Sequence, residues 1–324
     1  MPSSQRHTDT TNPRISVLVA NWNGREVLPA CLRSIPIHTR SVSYEIIVVD
    51  DASTDESVEI IRRDFPDVRL VVSPVNLGFV GANNLGVKET SGEFILLLNS
   101  DTELKEDAIG TLVAFMDAHP EAGICGPALF TDDGRPQVSY GWPPSLLPAA
   151  VDAFFLNDLF PRAGFPSRGV PPDPTRTSPF PVHYVSGAAL LIRSSLVAQC
   201  GLFDPLFKAY CEEVDLCQRV RTRTGLACFI VPEARIMHYE GKSYGRLGAG
   251  RIRIMYESYD RFMVKYHNRT YAFVTRLLFA WHYAVKLAIR VLRWLPATAP
   301  TRLLRSGEVR QAWYHVRYSL WPYG

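Results

Sequence analysis

The sequence predicts an α/β fold: a mostly parallel sheet flanked by helices, continued by a helical C-terminal extension. Two observations carry this expectation. Short apolar runs rich in β-branched residues alternate with segments of helical spacing through the first half of the chain, as in β-α-β units. Three of these runs end in polar clusters, Asn21/Asn23, Asp50/Asp51 and Asn99/Asp101, which a parallel sheet gathers on one edge. Ligands of open α/β sheets sit outside that edge. A length of 324 residues with 47% hydrophobic and 21% charged content allows a substantial core. A net charge of +3 gives no global sign of a nucleic-acid partner.

The elements follow in order. Residues 15–20 form a first buried strand running into Asn21-Trp22-Asn23-Gly24. Residues 26–34 have helical spacing, with Val27, Cys31 and Leu32 on one side. Residues 44–49 are a second strand, ending at Asp50-Asp51. Ser53 and Glu56 then read as a capping box ahead of Val58, Ile61 and Phe65. Residues 68–72 are a third strand, and the Gly/Asn-rich stretch 76–86 opens another helix. Phe94 to Leu98 lacks a helical period and reads as a buried strand delivering the turn Asn99-Ser100-Asp101. Asp101 thereby stands where a diphosphate and its divalent cation could be held. The competing assignment makes it the cap of a helix beginning near Glu106. A dinucleotide fold needs G-x-G-x-x-G directly after the first strand; Asn-Trp-Asn-Gly stands there, which argues against NAD or FAD.

The second half is less regular. Residues 131–181 are rich in proline and read either as a flap over an acceptor or as a flexible, disordered insertion. Strand-like sequence returns over 182–193, around Ser186-Gly187. Residues 210–219 start a helix with Glu212, Glu213 and Asp215 near its N-terminus, where the helix dipole alone favours acids. His238 follows an apolar run and precedes a Gly/Ser turn. The six cysteines show no metal-ligand spacing, so reduced thiols in a cytosolic compartment are expected. Residues 1–13 are polar, read as disordered, and lack the apolar core of a signal peptide.

With these stretches in place, the chain resembles the inverting glycosyltransferases of family 2, which have the GT-A fold. The resemblance rests on Val17 to Asn23, Val48 to Asp55, Asn76 to Gly86, Leu97 to Asp101, Ser186 to Ala189, Phe203-Asp204, Glu212 to Leu216 and His238 to Ser243. It covers residues 14–270, and ordered motifs together are far more specific than one alone. It implies that Ala20, Asn21 and Asn23 line the base pocket and that Asp50, with Asp51 beside it, meets the pyrimidine. Asn76, Gly78 and Asn83 would lie along the nucleotide, with Asn99 and Ser100 beside the diphosphate. Asp101 occupies the last position of the family's D-x-D motif, a divalent-metal ligand (Mg²⁺ or Mn²⁺) together with His238. Asn99 stands at the motif's first position, which leaves fewer carboxylates on the cation. In the acceptor-side motif, usually Glu-Asp-x-Asp, the catalytic base falls on Glu213. Glu212 is the fallback, and Asp215 would orient the acceptor or the loop. Lys242, Ser243, Tyr244 and Arg246 would close over the diphosphate.

The expected organisation is a catalytic domain over 14–268, comprising a nucleotide-sugar half (14–130), the insertion (131–181) and an acceptor half (182–268). A C-terminal region over 269–324 would contact the membrane. Within it, residues 271–295 are apolar but carry Arg276, His282, Lys286, Arg290 and Arg293. So many charges argue against a simple span and for a helix lying on anionic lipid. Packing on the catalytic domain or on a second copy of the chain, as a homo-oligomer, is the alternative. The reading that follows is a metal-dependent transferase at the cytoplasmic face of the plasma membrane. It would move a sugar, L-rhamnose by closest resemblance, from a dTDP- or UDP-sugar to a lipid-linked or polysaccharide acceptor. A nucleotidyltransferase and a non-catalytic nucleotide- or glycan-binding protein are the other classes.

Overall fold

The computed structural model describes residues 13–239, 248–294 and 299–323. The elements in chain order are β1 (Ile15–Asn21), α1 (Leu28–His38), β2 (Tyr44–Asp50), α2 (Ser57–Asp64), β3 (Arg69–Val72) and α3 (Gly78–Gly86). Then come β4 (Phe94–Asn99), β5 (Thr102–Leu104), α4 (Ala108–Ala118), β6 (Ala122–Phe130), β7 (Tyr140–Gly141), α5 (Leu146–Ala153) and α6 (Leu156–Leu159). They are followed by β8 (Phe180–Val182), β9 (Tyr184–Val185), β10 (Ala189–Arg193), α7 (Ser194–Cys200), α8 (Glu212–Thr224) and β11 (Ala227–His238). Three long helices end the chain: α9 (Gly248–Tyr266), α10 (Arg269–Trp294) and α11 (Ala299–Leu320).

The chain forms two compact units. As far as these stretches are described, a sheet unit is drawn from Met1–Gly141, Gly169–Lys208 and Glu212–Arg246, and a helical unit from Trp142–Arg168, Ala209–Cys211 and Leu247–Gly324. Among the described residues of the sheet unit, nine strands form one mixed sheet in the order β3-β2-β1-β4-β10-β6-β11-β5, with β8 beside β11. β3, β2, β1 and β4 are parallel, as the β-α-β reading expects. β10 then runs antiparallel between β4 and β6.

β1, β2 and β4 read as continuous apolar runs because both faces of the sheet are covered. Val17, Val19, Val48, Leu96 and Leu98 pack with Leu28, Leu32 and Ile35 of α1 and Ile109, Leu112 and Met116 of α4. On the other face α3 lies so close that a β-carbon at Gly86 would come within 2.4 Å of Leu18 and 2.5 Å of Val49. The polar residues buried in this unit include Asn21, Asp50, Asp51, Ser100, Asp101 and Thr102, all at the carboxyl ends of β1, β2 and β4 or just beyond them.

Two local expectations change. The Ser53/Glu56 capping box does not form: α2 starts at Ser57, and Ser53 Oγ accepts instead from the Asn23 N–H (2.8 Å). Ser53 is held at the end of β2, where its own N–H donates to Asp50 Oδ1 (3.0 Å). Asp101 is also not a helix cap. Asp107 caps α4, accepting from Gly110 N–H at 3.0 Å, which leaves Asp101 in the turn beyond β4.

In the helical unit, Ala149 of α5 joins Ile252 and Tyr256 of α9 and Phe279 of α10 in a small core. Partly buried Arg168 pairs with Asp152 at 2.7 Å and lies 4.3 Å from the centre of the Phe279 ring. By length and composition α10 is able to cross a membrane over Arg269–Arg293. Its polar side is turned inward. His282 Nδ1 donates to Asp152 O, Arg276 faces Asp260 at 3.4 Å, and Arg290 donates to Glu308 O at 3.1 Å. The exposed side is apolar, with Phe273 53%, Leu277 45%, Trp281 57% and Leu292 67% exposed.

Candidate active site

The site is assembled in the sheet unit at the carboxyl ends of β1, β2 and β4. A small pocket there is lined by Ala20, Asn21, Trp22, Asp51, Phe79, Ala82, Asn99 and Ser100. Asn21 is buried; its Nδ2 donates to Asp50 Oδ2 (2.9 Å), and its Oδ1 is buried without a hydrogen bond. Asp50 is fully buried, with one oxygen on Asn21 and the other on Ser53 N–H, so it holds the loop that follows β2 against the end of β1. Asn23, at φ 51°, likewise holds that loop: its Oδ1 accepts from the N–H groups of Thr54 (2.7 Å) and Asp55 (3.3 Å).

Asp51, one position on from the strand end, faces the pocket instead. Its oxygens accept from Leu77 N–H (2.6 Å) and Gly78 N–H (2.8 Å), and Asn76 Nδ2 donates to the Asp51 carbonyl (3.3 Å). Burial raises the Asp51 carboxyl pKa, opposed by those two N–H groups. Gly78 adopts φ 72°, a left-handed conformation that favours glycine at the start of α3. Asn83 is buried one turn further on and donates to Phe79 O (2.8 Å).

A second constellation lies just past β4. Antiparallel pairing of β5 with β11 sets His238 opposite Thr102, and Tyr239 N–H extends the ladder to Asp101 O (2.8 Å). This brings His238 Nε2 to 3.3 Å from Asp101 Oδ1. On the far side of the ring Nδ1 meets Gln137 Oε1 at 3.0 Å, and Gln137 Nε2 donates to the His238 carbonyl at 3.0 Å. The Tyr239 hydroxyl donates to Glu103 (2.7 Å). Among the described residues, no group of three or more His, Cys, Asp and Glu is arranged to hold a metal. The protein thus offers a carboxylate and an imidazole, a donor set that a hard divalent cation completes with phosphate and water oxygens.

The third constellation is the N-terminus of α8. Glu212 is buried, Glu213 is partly buried, and Oε2 of each is buried without a hydrogen bond. Burial pushes the Glu213 carboxyl up to about 7, with the backbone N–H groups of the helix start pulling it down. Glu212 is raised well above the usual carboxylate range by burial and then by the neighbouring charge of Glu213. Gly187 packs against Glu213, its virtual β-carbon only 3.7 Å from Glu213 Cβ, and the next residue's carbonyl, Ala188 O, accepts from Asn99 N–H at 2.9 Å. A short loop therefore links the acid pair to the end of β4. Asp215 does not join the pair. It is fully buried and binds Arg219 Nε at 2.6 Å, while Arg219 reaches the carbonyls of Cys200, Gly201 and Leu202.

The described non-glycine residues at positive φ are Asn23, Ala52, Phe155, Tyr210 and Cys211; all but Phe155 adjoin or belong to these constellations. Such strain persists where surrounding structure over-determines it.

A sequence model described as Glycosyl transferase family 2 matches residues 16–199, more than half of the chain. The chain belongs to glycosyltransferase family 2. An N-acetylglucosaminyl-diphospho-decaprenol L-rhamnosyltransferase of Mycobacterium tuberculosis is 27% identical over 266 residues, 78% of this chain and 85% of that protein. Among solved structures, a mannosyltransferase of Pyrobaculum calidifontis in complex with GDP-Man and Mn²⁺ superposes with TM-score 0.59 at 15% identity. That match covers 96% of this chain and 86% of the other. GalNAc-T7 with UDP, GalNAc and Mn²⁺ gives TM-score 0.57 at 15% identity, covering 95% of this chain but 57% of the longer one. These likenesses give the GT-A fold. As a family 2 glycosyltransferase the protein takes a nucleotide-sugar donor, and the nucleotidyltransferase and non-catalytic readings are set aside.

Sequence reasoning missed Trp22 and Phe79 as pocket walls, Ser53 as a loop anchor and Gln137 as a partner of His238. Trp22 and Phe79 lie inside the quoted motifs. Gln137 carries no sequence signal, since it reaches His238 only through folding of the proline-rich stretch. Lys242, Ser243, Tyr244 and Arg246 lie outside the described residues, as do 1–12 of the N-terminal stretch.

Proposed function

We propose that this glycosyltransferase inverts the anomeric centre, requires Mg²⁺ or Mn²⁺, and moves L-rhamnose from a dTDP-sugar to a polyprenyl-diphosphate-linked sugar at the membrane surface. The observation that carries the inverting reading is the acid pair at α8. Glu213 has a buried oxygen with no partner and a carboxyl poised near 7, the condition of a general base at neutral pH. In a single displacement Glu213 takes the acceptor hydroxyl proton as that oxygen bonds to the anomeric carbon. The bond from that carbon to the diphosphate oxygen breaks, and the electron pair leaves with the nucleoside diphosphate. Glu212 beside it is raised well above the usual carboxylate range by burial and by the charge of Glu213, so the negative charge of the pair falls on Glu213.

Donor binding falls to the pocket at β1, β2 and β4. Ala20, Asn21 and Asp51 face the nucleoside, with the rings of Trp22 and Phe79 as walls. Asn23 and Asp50 fix the loop, Asn76, Gly78 and Asn83 shape the start of α3, and Asn99 and Ser100 lie towards the diphosphate. Asp101 and His238 would hold the divalent cation, whose chemistry is to neutralise charge on the leaving diphosphate. Rhamnose and a lipid-linked acceptor are supported by the mycobacterial relative; a UDP-sugar donor is the alternative. The outward apolar face of α10, with Phe273, Leu277 and Trp281, supports contact with lipid.

Product analysis tests this reading. The full chain is incubated with dTDP-L-rhamnose or a panel of UDP-sugars, N-acetylglucosaminyl-diphospho-polyprenol, and Mn²⁺ or EDTA. Metal-dependent transfer of rhamnose with inversion is expected, and it should disappear in Asp101→Ala. Transfer from a UDP-sugar alone would move the donor assignment, and full activity in EDTA would overturn the metal.

A further inference from the structure

We infer that Gln137 is a positioning residue that fixes the tautomer of His238 and so presents Nε2 as an electron-pair donor beside Asp101. The inference rests on the metal reading proposed above and deepens it.

The Gln137 amide is held in one orientation. A backbone carbonyl only accepts, so the group facing His238 O at 3.0 Å is the amide NH₂. That places Oε1, which also only accepts, at 3.0 Å from Nδ1. The proton of a neutral ring therefore resides on Nδ1. Nε2 keeps its lone pair and points it at Asp101 Oδ1, 3.3 Å away. Two electron-rich atoms at that separation would together hold a divalent cation. With the opposite tautomer the Nε2–H would occupy that position and Gln137 would face an unprotonated Nδ1 with its own oxygen.

Gln137 is itself well anchored. Its N–H donates to Leu129 O at the end of β6 (2.8 Å), and its carbonyl accepts from Ser139 Oγ (3.0 Å), which in turn accepts from Leu129 N–H (2.8 Å). The side chain thus hangs from the sheet and grips both the ring and the main chain of one residue. Partners of this kind, standing behind a metal-binding imidazole, set ring orientation and ligand basicity. Here the partner is a neutral amide, which fixes the proton without adding a second negative charge.

The test uses full-length protein with ¹⁵N-labelled histidine. Long-range ¹H–¹⁵N spectra of the metal-free protein at alkaline pH report which nitrogen of each neutral ring carries the proton, and a His238→Asn sample assigns the signal. Mn²⁺ affinity in the presence of dTDP, read by electron paramagnetic resonance, is the second readout. In wild type, His238 should show the proton on Nδ1. In Gln137→Leu the tautomers should mix and Mn²⁺ affinity should fall by about tenfold or more. In Gln137→Glu, which keeps an acceptor for Nδ1–H, the tautomer should persist and Mn²⁺ affinity should stay at or above wild type. This also guards against a folding defect at the leucine substitution. An Nε2-protonated ring in wild type, or an unchanged tautomer and affinity in Gln137→Leu, would overturn the inference. A wild type with the Nδ1 proton that binds no Mn²⁺ would overturn the metal reading, and with it the cation as the purpose of the arrangement.

Discussion

Glu213 combines a first-turn position on α8 with a buried, unpartnered oxygen, and the two effects oppose each other in its acidity. With a pKa near 7, the ionised base is lost below neutrality, so kcat/KM should fall roughly tenfold per pH unit below 7. That limb should vanish in Glu213→Gln, whose turnover we expect to drop by about 10²–10⁴ while dTDP binding persists. Activity surviving the change would shift the base to Glu212. The sign for stability follows from proton binding. Because the folded-state pKa is raised from 4.5 to about 7, the native state holds the proton more tightly, and stability falls as pH rises through that window. Thermal melts of Glu213→Gln should show a shallower decline over the same range. Residue types and motifs were legible here from the sequence alone, because chemistry at a strand end or helix start demands particular side chains. Their division of labour was not. Asp50 and Asp51 are neighbours in sequence, yet one holds a loop and the other faces the pocket, since successive residues at a strand end point to opposite sides.

Elements show the same separation between what holds the fold and what serves the site. Asp107 and Asp101 lie on one short stretch and do different work. Asp107→Ala removes the cap of α4 and should cost about 1 kcal/mol in urea unfolding, with dTDP and Mn²⁺ binding unchanged. Asp101→Ala should do the reverse, abolishing Mn²⁺ binding with little change in the urea midpoint. Gly86 is the point where α3 touches the sheet. A β-carbon 2.4 Å from Leu18 forces the helix outward, so Gly86→Ala should destabilise by about 1–3 kcal/mol and weaken nucleotide binding through the displaced pocket wall. The strands and most helices of the first half were readable because their periods differ and their ends carry turn residues. The Ser53/Glu56 capping box failed because tertiary bonds from Asp50 and Asn23 outcompeted a local cap.

On the scale of the whole molecule, α10 offers the surface through which the proposed membrane contact would be made. Its cations, expected to face lipid headgroups, include Arg276 and Arg290 bound to groups of the helical unit, and an apolar strip faces outward instead. Sedimentation with phospholipid vesicles should therefore resist salt more than a purely electrostatic attachment would. Leu277→Glu with Trp281→Glu should release the protein from vesicles while leaving turnover of a water-soluble acceptor intact; retention on vesicles would point to a protein partner for this face. The sequence by itself determined the α/β class, the parallel half of the sheet, the family and the edge that carries the candidate site, because these follow from local period and from residue types at strand ends. Only the tertiary structure decided the antiparallel insertion of β10, the β5–β11 ladder by which Asp101 meets His238, the grip of Gln137 and the outward side of α10. Each depends on segments far apart in the chain meeting in one register, and local composition does not encode that meeting.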